Sequence, residues 1–217
     1  MPSSNPETIP VVIGLVWRLA PKRVLDVGAG YGKYGVLFRE YLEMLHTRNS
    51  QPRPSGSTMW RKRLVRIDAV EGFSDYVGKL HYAVYDNVYI ENIFDFVKKQ
   101  WEYDLIFMGD VLEHIEKEAA LNELLPALLA RVAMGVLISV PAYAEAQGSE
   151  FGNELETHRS RWQFADFHGI APFNYTGRKG NHIISFLTKQ SQYYQIARGN
   201  TLRRKLRAIK RVVQDGW

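Results

Sequence analysis

Ten residues constrain this chain more than any others: Val24-Leu-Asp-Val-Gly-Ala-Gly-Tyr-Gly-Lys33. A short apolar run ends in an acid, and three glycines follow at every second position, Gly28, Gly30 and Gly32. The run reads as a buried strand. The glycines let the backbone turn sharply and approach a ligand closely, because a Cβ there would clash. Tyr34, Leu37, Phe38, Tyr41, Leu42 and Leu45 then recur at spacings of three and four, the pattern of a helix. Strand, glycine loop and helix together make a nucleotide-type binding corner.

The spacing narrows the ligand. A dinucleotide fingerprint needs its third glycine at position 33, where Lys33 stands. A phosphate-binding loop needs Ser or Thr after Gly32-Lys33, and Tyr34 is there instead. What remains is Asp26-x-Gly28-x-Gly30-x-Gly32, which resembles motif I of class I S-adenosylmethionine (SAM)-dependent methyltransferases. The resemblance implies a loop wrapping the methionine part of a cofactor that carries no phosphate. It also implies that Asp26 orders the loop and the amino-acid end of the cofactor.

A second strand is expected at Val65–Val70, ending at Glu71-Gly72. An acid at that strand end can accept two hydrogen bonds from a ribose diol. Glu71 lies 43 residues past Gly28 rather than the usual ~20. Residues 46–63, polar and without helical or strand period, account for the excess as a basic insertion. Further strands are expected at Asn87–Glu91 and Tyr103–Gly109. Asn92-Ile93 then stands where members of the family carry an acid and an apolar residue beside the adenine. The resemblance implies that Asn92 faces the adenine amino group through its carbonyl.

Gly109-Asp-Val-Leu-Glu-His-Ile115 resembles the fourth motif of many SAM methyltransferases, beside the glycine loop at the carboxyl end of the sheet. Asp110, Glu113 and His114 lie within one turn, and on a nascent helix Asp110 would share a face with both others. His158-Arg-Ser-Arg-Trp162 and Asp166-Phe167 follow downstream. This spacing resembles two metal-using branches, the terminal 2′-O small-RNA methyltransferases and the ubiquinone-type O-methyltransferases. In the former, two acids and two histidines hold magnesium or manganese against vicinal hydroxyls. Asp110, Glu113, His114 and His158 match those positions, with Asp110 in place of a Glu and reaching about 1.5 Å less far. Three readings stay open: a divalent-metal clamp of these four residues, general-base chemistry by His114 or Asp110 without metal, and helix capping by Asp110 and Glu113. Pro141, Gln147, Gly152-Asn153, His158, Ser160 and Trp162 resemble bacterial methyltransferases encoded with glycan-assembly enzymes. The remaining histidines, His46, His81, His168 and His182, read as structural or surface residues.

With 217 residues and 46% apolar content, the chain can bury one full core. Alternating strands and helices predict an α/β layered fold. The resemblance specifies it as Rossmann-like, a seven-stranded, mostly parallel sheet with an antiparallel last strand and helices on both faces. Its fifth strand is expected at Val136–Pro141. Ile170–Tyr175 and His182–Thr188 flank Gly177-Arg-Lys-Gly180 as a closing hairpin. The predicted organisation is a methyltransferase domain over residues 1–190 and a basic amphipathic helix over 191–217. Ile9–Leu19 reads as an amphipathic helix near the cofactor mouth. The chain has no cysteine, no apolar run near ~20 residues and no evident signal peptide, so the expected location is cytoplasmic.

Charge is unevenly placed. Residues 46–66 hold six Arg/Lys and 198–214 hold seven, with no acid in either. Taking these thirteen from the net +5 leaves −8 for the remainder. A basic amphipathic helix over 198–214 can lie on an anionic membrane, hold phosphates, or dock its apolar stripe and solvate its charges. The resemblance thus implies methyl transfer from SAM to oxygen, with a sugar, glycan or other small hydroxyl-bearing acceptor first. An RNA 2′-hydroxyl is second, and a non-catalytic SAM-binding partner protein is the reading from another class.

Overall fold

The structure, a computed structural model, describes residues 5–48, 63–142 and 146–199. Seven strands form one sheet: β1 (Arg23–Val27), β2 (Arg66–Glu71), β3 (Asn87–Ile90), β4 (Leu105–Gly109), β5 (Gly135–Pro141), β6 (Phe173–Lys179) and β7 (His182–Thr188). Their order is β3-β2-β1-β4-β5-β7-β6. The pairings from β3 through β5 are parallel, and β7 runs antiparallel to both β5 and β6. The central strands read as unbroken apolar runs because both of their faces are covered. In β5, every residue from Gly135 to Val140 is buried.

One face carries α1 (Ile9–Leu19), α2 (Lys33–Arg48), α3 (Lys79–Val84) and α7 (Ser191–Arg198). The other carries α4 (Ile93–Phe96) and a continuous helical run. That run comprises α5 (Lys117–Ala119), a π-helical turn (Ala120–Leu124) and α6 (Leu125–Arg131). In α1, Val12, Leu15, Val16 and Leu19 are buried at spacings of three and four, so its apolar stripe docks against the sheet. No helix among the described residues is long and apolar enough to cross a membrane.

Three boundaries differ from the sequence expectation. The helix after the glycine loop runs to Arg48, so positions 46–48 are helical rather than part of an insertion. Thr47 Oγ1 donates back to the Glu43 carbonyl, and His46 Nε2 sits 3.3 Å from the Pro21 carbonyl. The rest of the insertion, residues 49–62, lies outside the described residues. The closing hairpin turns later than expected, because Gly177 pairs with Ile184 inside the ladder and Lys179 still pairs with His182. Gly180-Asn181 is therefore a two-residue turn, with Gly180 at φ +55° as such turns favour. Third, α7 ends at Arg198, with Gly199 after it at φ +69°, and the Ala197 carbonyl accepts from Arg18 Nη2 at 3.0 Å. The rest of the basic amphipathic helix expected from the sequence, residues 200–217, lies outside the described residues.

Arg39 ties α2 to the edge of the sheet. Its guanidinium is 1% exposed and donates to Glu43 Oε1 (3.0 Å), Asp86 Oδ2 (2.7 Å) and the carbonyls of Val65 and Val84. Glu43 in turn accepts from the Leu64 and Val65 N–H groups, fixing the chain as it enters β2. Removing one partner of such a pair strands a buried charge. Arg39→Met is expected to cost about 3 kcal/mol in a urea unfolding series.

Candidate active site

The turn after β1 uses its glycines as the spacing suggests. Gly28, Gly30 and Gly32 adopt φ +67°, +53° and +83°, conformations costly for other residues. A Cβ on Gly28 would also lie 2.5 Å from Val111 Cγ2. Glu71, at the end of β2 and 6% exposed, braces this turn. Its Oε2 accepts from the Gly30 N–H (2.8 Å) and its Oε1 from the Phe73 N–H (2.9 Å). Burial raises the Glu71 pKa, with the Glu156 charge adding to the rise.

His81 of α3 fastens the other side of the turn. Its Nδ1 accepts from the Gly78 N–H (3.1 Å), so Nε2 carries the proton and donates to the Gly30 carbonyl (2.8 Å). Gly32 packs against this ring and does not reach the cavity wall. Asp26 is 2% exposed and accepts from the Tyr85 hydroxyl at 2.6 Å. Burial pushes the Asp26 carboxyl up to about 7, against the opposing pull of that hydroxyl. Asn92 caps α4, its Oδ1 accepting from the Phe94 N–H at 2.9 Å. The carbonyl expected to face adenine is therefore already engaged as a helix cap, which leaves it a second lone pair.

Across the crevice, the helix face expected to join Asp110 to Glu113 and His114 does not form. A short 3₁₀ turn covers Leu112–His114, and Asp110 precedes it in the left-handed region at φ +55°. The Asp110 N–H donates to the Ser139 carbonyl, and its Oδ1 lies 3.1 Å from His182 Nε2. Neither Asp110 nor Glu113 caps a helix, since the first residues of the 3₁₀ turn and of α5 have no side-chain cap. Glu113 is 2% exposed, and its Oε2 has no hydrogen-bond partner among the described residues. Its carboxyl is pushed well above the usual range by burial, then by the charges of Asp110 and Glu156.

His114 and His158 face each other with ring centroids 5.0 Å apart. His114 Nδ1 approaches the Thr157 carbonyl at 3.4 Å; a carbonyl only accepts, so that contact places the proton on Nδ1 and leaves Nε2 with a lone pair. Burial lowers the His114 pKa and favours the neutral imidazole. Glu113, His114 and His158 each offer a ligand atom, all within 4.8 Å of one another. Asp110 lines the same cavity but is not in that close group; its Oδ1 faces His182, while its Oδ2 has no hydrogen-bond partner among the described residues.

The segment 147–160 closes over this end. Arg159 and Ser160 donate their N–H groups to the Glu113 carbonyl, and Gln147 Nε2 donates to the Glu156 carbonyl. Glu156 Oε1 accepts from the Tyr76 hydroxyl at 3.0 Å. All this surrounds one cavity of about 940 Å³. Asp26, Gly28, Gly30, Glu71, Asn92, Ile93, Asp110, Glu113, His114 and His158 all line it. So do Lys33, Glu156 and His182. Sequence reasoning had set His182 aside and did not single out Glu156. Lys33 is lowered by burial, with the Asp110 charge opposing. His81 and Tyr85 work one layer behind.

The strand order, the glycine turn after β1 and the acid ending β2 define the class I SAM-dependent methyltransferase fold. Solved structures carry the same likeness. DhpI, determined with S-adenosylhomocysteine, is 14% identical over 83% of this chain and 85% of its own, with a TM-score of 0.54. An O-methyltransferase family protein from Burkholderia thailandensis is 13% identical over 84% of this chain, with a TM-score of 0.56. NcsB1, an O-methyltransferase from neocarzinostatin biosynthesis solved with S-adenosylhomocysteine and 1,4-dihydroxy-2-naphthoic acid, is 12% identical over 82% of this chain, with a TM-score of 0.51. The chain spans 57% of the Burkholderia protein and 52% of NcsB1. No protein-family model and no curated protein matches the sequence.

Proposed function

We propose that this protein is a SAM-dependent methyltransferase acting on the oxygen of a small hydroxyl-bearing acceptor, a sugar or glycan unit first. One observation carries the reading: the braced glycine turn and the acid-histidine cluster open into the same cavity. NcsB1 was solved in complex with both S-adenosylhomocysteine and a dihydroxynaphthoic acid, which supports an acceptor of that size.

The chemistry asks little covalent work of the protein. The acceptor oxygen forms a bond to the methyl carbon, the carbon–sulfur bond breaks, and its electron pair returns to sulfur. The hydroxyl proton must then leave. The walls hold the two reactants in line, which removes most of the entropic cost of meeting. His114 Nε2, with its proton on Nδ1, is free to accept the hydroxyl proton.

The same residues fit a divalent cation. Glu113 offers a carboxylate oxygen and the His114 and His158 imidazoles offer nitrogens, all within 4.8 Å of one another, a donor set that suits Zn²⁺ better than Mg²⁺ or Mn²⁺. When bound, such an ion would lower the pKa of the acceptor hydroxyl.

The test is transfer of labelled methyl from SAM to a panel of free sugars, glycosides and phenols. With the acceptor that responds, His114→Ala should lower turnover about 100-fold and leave SAM affinity unchanged. Chelation followed by adding back Zn²⁺, Mg²⁺ or Mn²⁺ then separates the base from the metal version. A protein that gives no heat with SAM or S-adenosylhomocysteine is not a methyltransferase.

A further inference from the structure

We propose that the charge of the cavity wall makes this protein bind cationic SAM in preference to its neutral-sulfur product, S-adenosylhomocysteine, with Asp110 and Glu156 as specificity-determining side chains. The inference rests on the methyltransferase reading above. The two ligands differ by one methyl group and one unit of positive charge on sulfur.

The wall is acidic in a chain whose net charge is +5. Seven acidic side chains line the cavity, against Lys33, Arg159 and three histidines, His114, His158 and His182. Two of the acids are paired with cations: Glu91 with Lys99 at 2.5 Å, and Glu116 with Arg159 at 3.9 Å. Three others are held by neutral donors. Glu156 accepts from the Tyr76 hydroxyl, Asp26 from the Tyr85 hydroxyl, and Glu71 from backbone N–H groups. Asp110 has the His182 imidazole beside it and Lys33 within electrostatic reach.

Glu113 supplies an independent sign that this wall is shaped for a ligand. It is 2% exposed and lines the cavity, yet its Oε2 has no hydrogen-bond partner among the described residues. A buried carboxylate oxygen left this way is costly unless something else satisfies it. Its neighbours Asp110 and Glu156 are also acids, so acidic side chains gather at this end of the wall. A cation in the cavity is attracted to that end, and a neutral thioether is not.

The distances make the effect large enough to read. A sphere of 940 Å³ has a radius of about 6 Å, so a charge within the cavity lies inside roughly one Debye length of every wall. At that separation and an effective dielectric near 20, one charge pair gives a difference of about tenfold or more in binding. The sulfonium disappears at the moment of transfer, so the same field that favours substrate loosens product.

Calorimetry on the full chain at pH 8, with chelator present, tests this without an acceptor. SAM should bind about tenfold tighter than S-adenosylhomocysteine. Sinefungin, which carries an ammonium in place of the sulfonium methyl, should side with SAM. Asp110→Asn and Glu156→Gln keep the side-chain shapes and should each shrink the SAM-to-product ratio about threefold, and added salt should shrink it further. Equal or tighter binding of the product, or variants that weaken both ligands alike, overturns the inference while leaving the methyltransferase reading standing. Absence of binding by all three ligands overturns both.

Discussion

Glu71→Ala is expected to weaken SAM binding roughly a thousandfold, about 4 kcal/mol, while the chain keeps its fold. The carboxylate has two tasks. It accepts from the Gly30 and Phe73 N–H groups at 2.8 and 2.9 Å, which sets the glycine turn, and its remaining lone pairs face the cavity where a ribose diol would donate. Hydrogen bonds to a charged group each contribute about 1.5–3 kcal/mol, so losing two that organise the turn and the ligand contact sums to this order. Alanine also removes a buried acid, which offsets part of the structural cost. Calorimetry for SAM, beside far-ultraviolet circular dichroism for the fold, measures both. A drop smaller than tenfold would mean that the turn is held by His81 and its own glycines and that Glu71 does not touch the cofactor.

The parts of the site that the sequence made legible are those whose requirement is local. Three residues at positive φ in five positions must be glycine, so the turn is visible in the spelling of residues 28–32. Glu71 is visible because it ends an apolar strand. The other half of the site is built by tertiary contact. His81 reaches Gly30 across 51 residues, and His182 reaches Asp110 across 72. No local period marks either. Asp110 shows how a local rule misleads: the i, i+3, i+4 spacing presumes a helix starting at position 110, but the backbone there turns left-handed to let its N–H meet Ser139.

The same contrast bears on the acceptor. Thirteen basic residues in 46–66 and 198–214 suggest phosphate or an anionic surface, but most of them lie outside the described residues. Among the charged side chains that line the cavity, acids outnumber Lys and Arg. A phosphate group inside it would be repelled by those carboxylates, whereas a neutral hydroxyl could donate a hydrogen bond to one of them.

Asp26→Asn is expected to stabilise the protein above pH 7 by about 4 kcal/mol and to weaken SAM binding in the same preparation. Burial is the cause: Asp26 is 2% exposed, and its carboxyl rises from 3.8 to about 7, with the Tyr85 hydroxyl opposing and the Glu71 charge adding. The native state therefore keeps its proton up to about pH 7, while the unfolded chain gives it up near 3.8. Across that window the native state binds more protons, so stability falls as pH rises. The contribution is fully present below 3.8 and is lost as pH passes through about 7. At about 1.4 kcal/mol per pH unit, the separation corresponds to ~4 kcal/mol. Asparagine does not titrate, and its Oδ1 still accepts from Tyr85, so the variant escapes the loss. Urea unfolding of both proteins at pH 5 and pH 8 reads the effect: the variant should gain mainly at pH 8. A gain equal at both pH values would assign the change to packing. A variant less stable than the parent at pH 8 would mean that Asp26 is ionised and satisfied in the fold. The accompanying loss of SAM affinity would show that the native chain tolerates this buried acid for the charge it presents to the cofactor.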